Sequence, residues 1–106
     1  MADPQAETER IAVSYGLVVE LALKRGAPKP LTGLWTCAVD DQWAVALNGG
    51  DEDAKWKGFT IPRFHCAVTF NGWPAGLFDA FGGQIAAGRA ANEATFCEAL
   101  RRALAR

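Results

Sequence analysis

Two apolar runs, Leu34-Trp-Thr-Cys-Ala-Val39 and Trp43-Ala-Val-Ala-Leu-Asn48, alternate with a period of two and are separated by only Asp40-Asp41-Gln42. Strand side chains point alternately to opposite faces, so such a pair reads as a hairpin. Its register is tightly constrained, because a slip of one residue turns every side chain to the wrong face. A three-residue loop pairs Val39 with Trp43, Cys37 with Val45 and Trp35 with Leu47. A two-residue loop would set Val39 against Gln42 and mix the faces. The three-residue loop is therefore predicted, although it asks Gln42 for a left-handed conformation that suits glycine better. One face of the hairpin is then bulky. The other is mostly alanine, smooth enough for a helix to lie close, and both faces of the sheet can be covered.

Helices are predicted at both ends of the chain. Asp3 caps the first and Pro4 suits its first helical position. Its apolar stripe is Ile11, Tyr15, Val18 and Ala22, widened by Leu17 and Leu21. Lys24 and Arg25 sit at its negative end, and Gly26 stops it, with Pro28 and Pro30 beyond. Gly16 within it marks either close contact or a tolerated defect costing about 1 kcal/mol relative to alanine. The second helix starts near Asn92, a capping residue, and runs to about Ala105. It buries Phe96, Leu100 and Ala103/Leu104, with Cys97 and Ala99 at the edges.

Between these parts, residues 49–60 read as an exposed loop with a solvated acidic run, Asp51-Glu52-Asp53. Within it Trp56 either folds back on the core or serves as a contact residue. A further strand is predicted over Phe64–Phe70, with Phe64, Cys66, Val68 and Phe70 on one face and His65, Ala67 and Thr69 on the other. Asn71-Gly72 and Pro74 turn the chain. Leu77–Phe81 is either a short strand or irregular, and Gln84–Ala87 is a short extended piece. The whole chain, 1–106, reads as a single α+β domain: N-terminal helix, antiparallel sheet of three to five strands with a 35–47 hairpin, and a C-terminal helix packed on the sheet.

Composition excludes several functions. The net charge of −1 lacks the excess of Lys and Arg that nucleic-acid binding or polybasic membrane attachment requires. The start, Met1-Ala-Asp-Pro-Gln-Ala-Glu-Thr-Glu9, is acidic where a signal peptide needs a basic segment, and Ile11–Leu23 is too short for a bilayer and contains Glu20. A cytoplasmic protein that binds neither nucleic acid nor membrane is expected. Three widely spaced cysteines, Cys37, Cys66 and Cys97, with no C-x-x-C pair, read as buried free thiols.

No complete chemical constellation appears. Gly83-Gln-Ile-Ala-Ala-Gly88-Arg89-Ala90 is glycine-spaced like a nucleoside-triphosphate loop. However, Arg89 stands where lysine should reach the phosphates and Ala90 where a hydroxyl should hold magnesium. An anion at Gly88, Arg89 and the start of the second helix is the weaker form of that idea. The single histidine sits on the face opposite Cys66, which breaks up any Cys₃His metal site, so neither metal nor cofactor is expected. An acid–base enzyme on this chain would use His65 together with a carboxylate such as Asp79, or a thiol. The segment from Asn71 to Asn92 offers more. Trp73, Phe78 and Phe81 lie among glycines beside Asn71, Asp79, Gln84, Arg89 and Asn92. Rings, amides and a guanidinium form the composition of a ligand pocket or a protein interface. The alternative is that these rings complete the core.

Four pieces, Trp43-Ala-Val-Ala-Leu-Asn-Gly49, Phe70-Asn-Gly-Trp-Pro-Ala-Gly76, Gly82-Gly-Gln-Ile-Ala-Ala-Gly88 and Ala91-Asn-Glu-Ala-Thr-Phe96, resemble segments of small uncharacterised proteins of phages and mobile (integron) gene cassettes. The resemblance implies an accessory role in a bacterium or its viruses and assigns no residue a task. The expected function is a non-catalytic binding module that forms a homo-oligomer. Its contact surface comprises Asn71, Trp73, Phe78, Phe81, Gln84, Arg89 and Asn92, and its partner is a protein or a small ligand. A His65 enzyme and a nucleotide-like small-molecule binder are the alternatives.

Overall fold

The computed structural model describes residues 15–79, 84–87 and 93–106, with backbone only at Phe78, 84–87 and 93–94. Helix α1 covers residues 15–24. Seven strands follow: β1 (Leu34–Ala38), β2 (Trp43–Asn48), β3 (Ala54–Trp56), β4 (Phe59–Ile61), β5 (His65–Phe70), β6 (Trp73–Asp79) and β7 (Gln84–Ala87). Helix α2 (Glu93–Leu104) closes the chain. The main sheet has five strands in the order β1-β2-β5-β6-β7, every pair antiparallel, and β3-β4 form a separate two-stranded ribbon. The fold is α+β, a meander with one hairpin inserted between β2 and β5.

The β1–β2 register is the expected one, with Trp35 opposite Leu47 and Cys37 opposite Val45. The loop solves the Gln42 problem with a side chain. Asp40 Oδ1 accepts from the amides of Gln42 and Trp43, both at 2.8 Å, an Asx turn that replaces the left-handed residue. The bulky face then buries Trp43, Val45, Leu47, Cys66 and Val68 beneath both helices. Helix α1 contributes Val18, Leu21 and Ala22, and α2 contributes Phe96, Ala99, Leu100 and Ala103. Trp43 lies at the centre, tilted against Phe70 at 4.7 Å and Phe96 at 5.1 Å between ring centroids. Burying a ring of this size contributes several kcal/mol, of order 3–5 when judged by truncation to alanine.

The end of α1 follows its sequence signal, whereas the predicted caps Asp3 and Asn92 and the start of the first helix through Ile11 lie outside the described residues. Gly26 at φ 87° completes a Schellman stop: its amide donates to Leu23 O and the Ala27 amide donates to Ala22 O. Lys24 Nζ donates to the carbonyls of Leu104 and Arg106 at the end of α2, so the two helices finish side by side. Gly16 has open space where a Cβ would stand, which makes it a tolerated defect, not a close contact.

The alanine face departs from expectation. Among the described residues no helix covers it; the β3–β4 ribbon does, laying Ile61, Trp56 and Phe59 against Ala46, Ala67 and Leu77. Residues 49–60 are therefore not a plain exposed loop. Lys57 at φ 46° and Gly58 at φ 83° make the tight turn that sets Trp56 opposite Phe59. Trp56 is half-buried, stacked on Phe59 and covered by Lys57 at 5.3 Å. Asn48 fastens this layer to the sheet. It is 1% exposed, its Nδ2 donates to Ile61 O (2.8 Å) and Glu52 O (2.9 Å), and its Oδ1 accepts from Gly50 N (2.9 Å). Gly49 must be glycine for space, since a Cβ there would stand 2.3 Å from Leu31 O.

Two further expectations are corrected. Phe64 does not join the bulky face. It precedes β5 at φ 60°, is 49% exposed and carries the Arg63 guanidinium over its ring at 4.5 Å. Pro74 does not turn the chain. Asn71 (φ 50°) and Gly72 (φ 81°) alone make a two-residue turn, and β6 begins at Trp73. Proline is tolerated there because, among the described residues, β7 pairs only with Gly76–Phe78 and a bulge falls beside Pro74, so locally β6 is an edge.

Candidate functional site

The segment singled out from sequence is only partly described: Phe81, Arg89 and Asn92 lie outside the described residues, and Phe78 and Gln84 are placed by backbone alone. Phe78 pairs with Cys66 on one side and Gln84 on the other, so Gln84 stands in the neighbouring strand at that register. Asn71 and Trp73 are fully described, and they stand at one corner of the sheet. The turn that carries them is tied to the β1–β2 loop by the Asn71 amide, which donates to Gln42 O at 2.8 Å. Strand pairing places Trp73 opposite Phe70, and Phe70 packs on Trp43. The core thus continues into this corner and ends there: Trp43 is 2% exposed and Trp73 is 68% exposed. Asn71, Gly72 and Pro74 are exposed beside it. A rigid backbone therefore presents an indole, a carboxamide and a proline ring to solvent.

His65 and Asp79, named as an alternative pair, are direct cross-strand neighbours, and His65 also faces Asn48 across β2. His65 is half-buried, and its Nδ1 lies 2.7 Å from Arg63 O. A carbonyl only accepts, so Nδ1 carries the proton and in the neutral ring Nε2 is the basic nitrogen. The thiols are on the other side of the sheet. Cys66 is in the helix-covered core, where burial pushes its thiol well above the usual range. Cys37 is also raised by burial, an effect the nearby Arg25 opposes. Burial likewise raises the Tyr15 hydroxyl to about 12, helped by Cys66 and the charge of Asp79. Tyr15 thus stays protonated at neutral pH and is a weaker acid than an ordinary tyrosine.

Among the described residues, two hollows lie elsewhere. An apolar one of about 170 Å³ is walled by Val19, Ala22, Leu23, Ala27, Leu31 and Leu47. A shallow polar one of about 390 Å³ lies beside Asn48, between Thr32–Leu34 and Gly50–Ala54. Sequence reasoning predicted neither, because both form where the 27–33 connection crosses β2, a tertiary event with no local signal. Among the described residues no cluster of three or more His, Cys, Asp or Glu is placed to hold a metal ion. None of the described helices is long and apolar enough to cross a membrane. No family model, curated protein or solved structure matches the chain.

Proposed function

We propose that this protein is a non-catalytic binding module whose contact surface is the corner built by Asn71, Gly72, Trp73 and Pro74, extended by the 78–92 segment. The observation that carries the reading is Trp73, a large ring left 68% exposed at the start of β6 next to a well-packed core. Tryptophan is the residue type most enriched among those that dominate interface energies, and a strand-held indole loses little entropy on contact. A protein partner fits this exposed corner, which lines neither described hollow, better than a small ligand, which needs a concave site to bury most of its surface. An accessory role in a bacterium or its mobile elements agrees with a module that supplies contact and no chemistry.

The test is comparative capture from bacterial lysate with wild-type chain, Trp73→Ala and Trp56→Ala. Loss of a hot-spot ring weakens binding by about 2 kcal/mol or more, roughly thirtyfold. A bound species that falls that far with Trp73→Ala and stays with Trp56→Ala supports the reading. Equal recovery by all three chains removes it.

A further inference from the structure

Among the described residues β1 ends the five-stranded sheet, and its hydrogen-bond phase is fixed at both ends. Gly49 N donates to Gly33 O at 3.0 Å, and Val39 N donates to Trp43 O at 2.8 Å. Antiparallel bonding alternates along a strand, so residues 33, 35, 37 and 39 direct their polar backbone atoms toward β2. Leu34, Thr36 and Ala38 therefore direct theirs outward, away from the sheet. The Arg25 guanidinium, which reaches Ala38 O from outside, independently reports that direction. An open row of strand donors and acceptors is a template for another strand. Proteins that keep such an edge single usually blunt it with a charge, a proline or a bulge. Leu34-Trp-Thr-Cys-Ala38 carries no charge and no proline of its own, its register with β2 is unbroken, and Arg25 reaches the edge only at its Cys37–Ala38 end, leaving Leu34 and Thr36 without a blunting charge among the described residues. Leu34, Thr36 and Ala38 are all exposed.

We propose that β1 pairs antiparallel with β1 of a second copy about a two-fold axis at Thr36, joining two sheets into one of ten strands. Backbone phase and side-chain size both select a second copy. With Thr36 opposite Thr36, Leu34 falls opposite Ala38, so every outward-directed residue meets another and can exchange both bonds. On each face bulky then meets small: Leu34 beside Ala38, and Trp35 beside Cys37. Ala38 O keeps Arg25 while pairing, because a carbonyl accepts twice. Beyond the strand, Asp40-Asp41 of one copy runs toward the segment of the other that carries Lys29, and a net charge of −1 gives little general repulsion. The Trp73 corner belongs to the β5–β6 turn and stays open, so the dimer would carry two contact surfaces and bind a multivalent partner with avidity. This pairing does not depend on the function proposed for that corner.

Sedimentation of the wild-type chain at high micromolar concentration should give twice the mass of one chain. Thr36→Pro removes only an outward amide and leaves the β2 ladder intact, so it should give a folded monomer with native circular dichroism. A disulfide trap reports the register even if that variant misfolds. In a Cys37→Ser background, Thr36→Cys places two thiols on the axis at a Cα separation of about 5.5 Å, within disulfide range. It should cross-link on mild oxidation. Leu34→Cys alone should not, and Leu34→Cys with Ala38→Cys should. A wild-type monomer at high micromolar concentration overturns the proposal. So does cross-linking of Leu34→Cys as fast as Thr36→Cys, or a native Thr36→Pro chain that stays dimeric.

Discussion

Replacing Asn48 with aspartate changes one amide nitrogen for oxygen and keeps the shape. The wild-type side chain gives two bonds through Nδ2, to Ile61 O and Glu52 O, and takes one at Oδ1 from Gly50 N. Asn48→Ala forfeits all three. Each is worth about 1 kcal/mol net. The expected loss is about 2–4 kcal/mol. Asn48→Asp at pH 7 keeps the Gly50 bond but points an ionised oxygen at two carbonyl oxygens less than 3 Å away. An uncompensated buried charge costs about 3–5 kcal/mol, so aspartate should be the worse substitution despite its shape. Repulsion and burial raise the folded-state pKa of this carboxyl above its unfolded value of about 3.9. A raised pKa favours the folded state below the unfolded pKa and loses that advantage as pH rises through the folded pKa. The Asn48→Asp deficit should therefore shrink as pH falls from 7 toward 4, since the protonated acid can donate to Ile61 O. Urea unfolding of the three proteins, followed by tryptophan fluorescence between pH 4 and 8, reads this directly. An aspartate variant as stable as wild type at pH 7, or a deficit independent of pH, would mean that water reaches the site and that Asn48 does not fasten the ribbon.

The remaining predictions concern three other parts of the molecule. Gly49→Ala must displace Leu31 O from 2.3 Å and should cost about 1–3 kcal/mol, whereas Gly16→Ala enters open helix surface and should gain up to about 1 kcal/mol. Opposite shifts in thermal midpoint check both, and equal shifts refute the packing argument. Tyr15 is the only tyrosine, so tyrosinate absorbance should titrate near pH 12 and not near 10.0. Its folded pKa is raised, so its contribution to stability is present below pH 10 and is lost as pH rises toward 12; alkaline melting curves should show that fall. Cys66 and Cys97 are buried, so a thiol reagent at neutral pH should modify at most Cys37 in the native chain and all three thiols in denaturant. Rapid native modification of two or three thiols would contradict the core described.

The parts legible in the sequence are those whose physics is local. The β1–β2 register followed from face matching alone, because mixing Trp, Val and Leu with Gln on one face has no stable solution. The end of α1 followed from Gly26. The ribbon over the alanine face is hard to read from sequence because Lys55 and Lys57 interrupt its apolar pattern. Yet Ala54, Trp56, Phe59 and Ile61 alternate about a Lys57-Gly58 turn whose first residue is a poor left-handed former, so the signal was present but weak. Phe64 was misplaced because its alternation with Cys66 ignores the left-handed bend that swings it outward. Pro74 was read as a breaker because sequence does not show that β7 stops short of it. Asn71 and Trp73 stand out in the sequence by residue type, but the exposure of Trp73 does not. Trp35, Trp43 and Trp56 have the same composition-level signature, and only packing separates them.

The central claim is that the exposed Trp73 corner makes contact. Hydroxyl-radical footprinting of the chain alone and with its captured partner tests it by comparing the four tryptophans. Alone, Trp73 should be oxidised fastest and Trp43 slowest. With partner bound, Trp73 should lose most of its reactivity while Trp56 keeps its own. A partner that leaves Trp73 oxidation unchanged and protects another face would contradict the account.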